Sequence, residues 1–315
     1  MAKRSDLRRS QGVSEVLHFV RRVLVSMPTR TISVLGGLVQ DLVTITDRIP
    51  KRGETIVANK FNSSPGGKGA NSAVAAYRLS RANPKNQDAA QAAQAAQASE
   101  HDELCVRMIG AVGDDNFGPA LRSAVENSGV NVDGVQVLPG QSTALGIILI
   151  EQETGENRIL LHQNAANALK PEQFTTPESL GAGTVPDLLI AQLEVRRDTI
   201  EQAIETAHSN GIEVLLNPAP ACYIDPALFP MISHLIVNEI EAKMLSHSRS
   251  VLEDPEAKWI AITEYFHARG VRNVVITLGD QGAFYSYEDG NTKEPFRGHV
   301  EAEKGLKVLD TAGAG

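Results

Sequence analysis

The stretch LLIAQLEVRRDTIEQAIETAHSNGIEVLL, residues 188–216, decides the fold. It opens on a short apolar run, Leu188-Leu-Ile190, closes on another, Val214-Leu-Leu216, and carries a helical pattern between them from Asp198 to Asn210. Runs this short, with no polar alternation, suit strands buried on both faces. A helix between two of them predicts a parallel pair joined by a crossover. The same signature recurs outward in both directions. Ile32-Ser-Val-Leu35, Val106-Arg-Met-Ile109, Leu235-Ile-Val237 and Val274-Val-Ile276 read as further strands, and Ala70 to Leu79, Gly118 to Ser128 and Asp254 to Arg269 as further helices. The chain is therefore α/β with a mostly parallel sheet, and ligands are expected at the carboxyl ends of its strands.

Three segments depart from the alternation. Thr143 to His162 reads as a hairpin around the turn Glu153-Thr-Gly-Glu, and with the β-prone stretch Leu42 to Phe61 it predicts a small antiparallel lid. Residues 82–103 hold a glutamine and alanine tract with no apolar face to bury, which reads as a solvated insertion without a catalytic part. Residues 1–30 carry Arg and Lys with apolar residues at helical spacing, a pattern shared with mitochondrial transit peptides. Their shortage of serine and the acids Asp6 and Glu15 favour an extended start outside the fold, which then spans 31–315.

Composition narrows the function. The 315 residues are 22% charged and 42% hydrophobic, as in a soluble globular domain. Thirty Lys and Arg against 38 Asp and Glu give a formal charge of -8, which leaves no basic field for a nucleic-acid backbone, and aromatics at 4% are too few for base stacking. Cys105 and Cys222 lie in no zinc-ligand spacing, in keeping with a reducing compartment: the cytoplasm, with the nucleus compatible. No apolar run approaches the roughly 18 residues of a membrane span.

Three groups of residues carry candidate chemistry. In Pro65-Gly-Gly-Lys-Gly-Ala-Asn71 the glycines let backbone amides approach a polar ligand at a helix start. Lys68 is followed by Gly69 and not by Ser or Thr, so this is no Walker loop, and a plain tight turn stays open beside a ligand loop. The amide of Asn71 can donate and accept toward a hydroxylated ligand. Asn238-Glu-Ile-Glu241 and Thr277-Leu-Gly-Asp-Gln-Gly282 follow strand runs. Asn238 and Glu241 are spaced either to share a magnesium and phosphate group or simply to cap a helix. Asp310-Thr-Ala-Gly-Ala-Gly315 follows the apolar run Leu306 to Leu309 and has the makings of an anion hole.

Taken in order, Gly36-Gly37-x-x-x-Asp41, Gly66-Gly-Lys-Gly-Ala-Asn71, Gln192-Leu-Glu194, Asn217-Pro-Ala-Pro220, Asn238-x-x-Glu241, Thr277-Leu-Gly-x-x-Gly282 and Asp310-Thr-x-Gly-Ala-Gly315 resemble the ribokinase branch of the PfkB-type carbohydrate kinases. The resemblance runs from about Thr31 to Gly315. It implies a three-layer α/β/α domain with a β lid, and transfer of a phosphoryl group from ATP to a pentose, with D-ribose foremost. It places Asp41, Gly67, Lys68, Gly69, Ala70, Asn71 and Glu194 at the sugar. Asn238, Thr277, Leu278, Gly279, Asp280, Gln281, Gly282 and Gly315 would meet ATP, and Glu241 would help place Mg2+. Asp310 and the carbonyl of Ala312 would contribute to a K+ site, while the amides of Ala312, Gly313, Ala314 and Gly315 form the anion hole. A lid of this kind leaves an unpaired β-surface, so a homodimer through the lid is expected.

Two departures qualify the match. Family members continue Gly-Ala-Gly with an aspartate that acts as general base, and this sequence stops one residue short. The expectation is an incomplete version of a kinase whose written chain is inactive; the alternative is a catalytically dead sugar or nucleotide binder. The family's Gly-Ser-x-Asn-x-Asp reads here Gly36-Gly37-Leu38-Val39-Gln40-Asp41. Val39 replaces the sugar-binding asparagine, and Gln40 points to the other strand face. Deoxyribose, fructose or a nucleoside thus stays open beside ribose. A dinucleotide oxidoreductase would need Gly-x-Gly-x-x-Gly near the first strand, which is absent.

Overall fold

The structure, a computed structural model, describes residues 31–81, 104–247, 255–290, 292 and 294–304. The N-terminal extension, the 82–103 insertion and Asp310–Gly315 lie outside the described residues. The chain divides into two compact units, with the boundary after Pro220.

The unit from Thr31 to Pro220 runs β1 (Thr31–Leu35), β2 (Val39–Thr46), β3 (Lys60–Gly66), α1 (Lys68–Leu79), β4 (Cys105–Gly113), α2 (Gly118–Asn127), β5 (Asn131–Leu138), β6 (Ala144–Glu151), β7 (Asn157–His162), β8 (Leu188–Gln192), α3 (Arg197–Ser209) and β9 (Glu213–Asn217). Its main sheet has the order β9-β8-β1-β4-β5 with every neighbour parallel. Every residue of β8 is buried, which is why its sequence is a continuous apolar run. In α3, Ile200, Ala203, Ile204 and Ala207 recur at helical spacing and are buried, with the helix packed on β8 and β9.

A second, four-stranded sheet has the order β3-β2-β6-β7. Its outer pairs β2–β3 and β6–β7 are antiparallel, while the central β2–β6 pair is parallel. The reason is the main sheet. Within a few residues, β2 follows β1 and β6 follows β5, and β1 and β5 point the same way, so their continuations leave in the same direction. The β-prone stretch Leu42 to Phe61 falls across two strands, β2 starting at Val39 and β3 ending at Gly66. That places Asp41 inside the lid sheet, opposite Ser64 on one side and Gly146 on the other.

Asp115 ties the two sheets together. Its carboxylate accepts from the amides of Phe117 and Gly118 at the start of α2 (3.1 and 3.0 Å), and from the amide and hydroxyl of Thr143 (2.7 and 2.6 Å), the residue just before β6. Thr143 Oγ1 in turn accepts from the amide of Gly113 at the end of β4 (3.1 Å). Burial works to raise the pKa of Asp115, but these bonds together outweigh it and hold the group below its ordinary value.

The unit from Ala221 runs β10 (His234–Asn238), α4 (Glu239–Leu245), α5 (Pro255–His267), β11 (Asn273–Thr277), β12 (Ala283–Tyr287) and β13 (Phe296–Val300). The β10–β11 pair is parallel, and β11–β12 and β12–β13 are antiparallel. Phe266 of α5 is fully buried and meets Phe229 edge to face at 5.5 Å.

Candidate active site

The loop before α1 is built by glycine. Gly67 has φ of +97°, and a Cβ there would stand 2.6 Å from the carbonyl oxygen of Gly37. A Cβ on Gly69 would stand 2.6 Å from the carbonyl carbon of Gly36. Two glycine segments, 36–37 after β1 and 66–69 before α1, therefore lie backbone against backbone, joined by the amide of Ala70 donating to the carbonyl of Gly37 at 3.1 Å. Helix α1 has no side-chain cap of its own. Glu194, 126 positions further on, takes that place: its Oε2 accepts from the amide of Lys68 at 2.6 Å. The carboxylate sits where the helix dipole favours negative charge. A Cβ on Gly37 would lie 2.6 Å from the same oxygen, so only glycine leaves Glu194 this room.

Glu194 is 7% exposed. Burial pushes its carboxyl up to about 7, against the pull of the Lys68 amide, the Lys68 ammonium and the Gly69 amide, with the Asp41 carboxylate adding to the rise. Asp41 is half-buried, and burial raises it too, with the Lys68 ammonium pulling the other way. Its carboxylate lies between two glycines on the flanking strands, Gly66 and Gly146, and a Cβ on either would run into it. Asp41, Gly67, Lys68, Gly69, Ala70 and Glu194 are thus brought together, while Asn71 stands exposed on the first turn of α1. Two supporting groups carried no sequence signal as ligands. Gln192 is fully buried and its Nε2 donates to Ser72 Oγ at 3.0 Å, and Gln163 Nε2 donates to the carbonyl of Glu194 at 3.1 Å. Two carboxylates beside a lysine and a row of amides can serve a polyhydroxylated ligand, because hydroxyls can donate to the former and accept from the latter.

In the second unit, Asn238 and Glu241 form a reciprocal capping box on α4. Asn238 Oδ1 accepts from the amide of Glu241, and Glu241 Oε2 from the amide of Asn238, both at 2.9 Å. The capping role that the sequence left open is therefore realised. Thr277 to Gly282 forms the tight turn from β11 into β12: Leu278 is buried, the Asp280 and Gln281 segment is a single helical turn, and Gly279 and Gly282 both have positive φ. Asp310 and Ala312 to Gly315 lie outside the described residues. Among the described residues, no cluster of three or more His, Cys, Asp or Glu could cage a metal ion.

Fold and site together define an α/β protein in which a glycine loop opens a helix beside two carboxylates. The chain belongs to the pfkB family of carbohydrate kinases, whose model matches residues 29–315. A ribokinase of Schizosaccharomyces pombe is 38% identical over 290 residues, covering 90% of this chain and 81% of that protein. A deoxyribokinase of Salmonella typhi is 32% identical over 286 residues, covering 90% and 81%. The crystal structure of a ribokinase from Cryptococcus neoformans in complex with ADP superposes with a TM-score of 0.67 at 27% identity, covering 91% of this chain and 83% of the other.

The raised Glu194 carboxyl gives the site a pH signature. Above about pH 7 it is ionised and can accept from a ligand's hydroxyls; below, it is protonated and loses acceptor capacity. The dissociation constant for the sugar, measured by calorimetry, is expected to fall as pH rises from 6 to 8, by up to about tenfold per unit on the acid side. Glu194→Gln is expected to flatten the profile. A profile equally flat before the substitution would contradict the assignment.

Proposed function

We propose that this chain is an ATP-dependent pentose kinase that converts D-ribose and ATP to ribose 5-phosphate and ADP. The observation that carries the proposal is the placement of Asp41 and Glu194 around the glycine-built start of α1, in a chain of this family with a ribokinase as relative. The two carboxylates and the amides before α1 hold the sugar's ring hydroxyls, which orients its remaining hydroxyl for transfer. Asn238 and the turn from Thr277 to Gly282 are assigned to ATP. Glu241, whose Oε2 accepts from the Asn238 amide, would supply its carboxylate toward a magnesium ion carried on the nucleotide's phosphates. Such an ion would take only one or two protein carboxylates beside the phosphates. When bound, it neutralises charge on the phosphates. Asp310 and Ala312 are assigned to potassium, and the amides from Ala312 to Gly315 to the anion hole.

The cytoplasm is the proposed location; no helix among the described residues is long and apolar enough to cross a membrane. The proposed domain is 31–315, with the extension 1–30 outside it, the insertion 82–103 within it, and the lid formed by the strands between Val39 and Gly66 and between Ala144 and His162. On the face away from Asp41 the lid leaves Phe61 and Leu160 exposed by about 60% each, with Ile147 exposed beside them. Such a face is of the kind a second copy covers, and a homodimer through it is part of the proposal. Light scattering of the full-length protein is expected to give twice the monomer mass, and a monomer at high concentration would remove the dimer.

The activity is tested by coupling ADP release to sugar addition. With D-ribose and Mg-ATP the full-length protein is expected to turn over, and Asp41→Ala to lower kcat/KM by about a hundredfold or more. Release of ADP that does not depend on any pentose would contradict the proposal.

A further inference from the structure

Glu194 is held twice, once by its side chain and once by its main chain. The ladder between β8 and β9 ends at Gln192, so Glu194 stands in the turn beyond the sheet. Its carboxylate accepts from the Lys68 amide at the start of α1. Its carbonyl accepts at 3.1 Å from Nε2 of Gln163, the residue directly after β7. The two bonds secure opposite ends of one residue.

Gln163 is itself held. Its Oε1 accepts from Asn167 Nδ2 at 2.9 Å, so both ends of its amide have partners and the donor is aimed at Glu194. The short helical turn Asn164–Ala168 that carries Asn167 is anchored too, with Ala165 and Ala166 buried. Ala165 donates its amide to the carbonyl of Ser142, and Asn164 Nδ2 donates to that of Thr143, both at 3.0 Å. Ser142 and Thr143 lead directly into β6. One turn therefore grips the base of the lid hairpin beside both of its strands and, through Gln163, the main chain of Glu194.

A tilt of the Glu194 peptide swings its carboxylate away from the start of α1, and the Gln163 bond opposes that tilt. We infer that Gln163 is a positioning residue: it sets the Glu194 carboxylate through the main chain and carries the placement of the lid hairpin to the sugar site. The inference rests on the pentose-kinase reading of that site and deepens it. Gln163 has no need to touch the sugar. A misplacement of about 1 Å in a group that holds substrate can cost about a hundredfold. The Lys68 bond remains when Gln163 is changed, so a smaller loss, about tenfold, is expected.

The test is the KM for D-ribose and, separately, for ATP, measured on the full-length protein and on two variants without the donor. Gln163→Met keeps the length of the side chain. Gln163→Glu also keeps an acceptor for Asn167, so the turn retains its own bond and the variant covers the case in which the methionine one does not fold. In both, KM for D-ribose is expected to rise about tenfold, with KM for ATP within about twofold of the parent. Gln163→Lys, which restores a donor, is expected to bring KM for D-ribose back toward the parent value. A KM for D-ribose unmoved in both donorless variants would overturn the inference and leave the pentose-kinase reading standing. A fall in kcat with both KM values unmoved, the mark of lost active protein, would do the same, as would an equal rise in both KM values. A parent that releases no ADP in response to any pentose would overturn that reading and, with it, the inference.

Discussion

A single buried carboxylate organises the unit from Thr31 to Pro220. Glu194 reaches across from the end of β8 to the uncapped start of α1, and its bond to the Lys68 amide fixes where the helix begins. For that bond to form, the chain needs glycine at 37, 67 and 69, since each Cβ would fill the space through which backbone and carboxylate approach. The glycine loop and the carboxylate are thus two parts of one device. Taking a carboxylate out of water is costly, and the helix amides and Lys68 offset only part of that cost, which is why its pKa stays raised. A carboxylate held in this way can exchange its remaining desolvation for hydrogen bonds donated by a hydroxylated ligand.

The lid depends on the main sheet in a similar way. Because β1 and β5 point in one direction, β2 and β6 emerge side by side and parallel, and their register sets Gly146 opposite Asp41. Asp115 secures the geometry by bonding Thr143 to the start of α2. The second carboxylate of the site is therefore positioned by strand order and by one polar junction.

Much of this was legible in the sequence. Strands buried on both faces leave continuous apolar runs such as Leu188-Leu-Ile190, and the helices between them keep their period, so the α/β class follows from pattern alone. Edge strands were harder: in β5 only Val132 and Val135 are buried, and β12 and β13 lie beyond the parallel alternation. The lid hairpin was visible from its turn residues and Leu42 to Phe61 as its companion, but the parallel pairing of β2 with β6 was not, because it joins segments about a hundred residues apart. The site residues were legible only as an ordered set of motifs. No spacing rule connects Lys68 with Glu194, and Asp115 had only the faint signal of an acid just ahead of a helix start. The capping pair Asn238 and Glu241 could be read directly, since both partners lie within one turn.

The central claim is that Asp41, Glu194 and the amides before α1 hold the sugar. A crystal structure with D-ribose bound tests it most directly. The account predicts ring hydroxyls within about 3 Å of the Asp41 and Glu194 carboxylates and of the glycine loop's amides. A sugar bound elsewhere, or bound with either carboxylate turned away from it, would contradict the account.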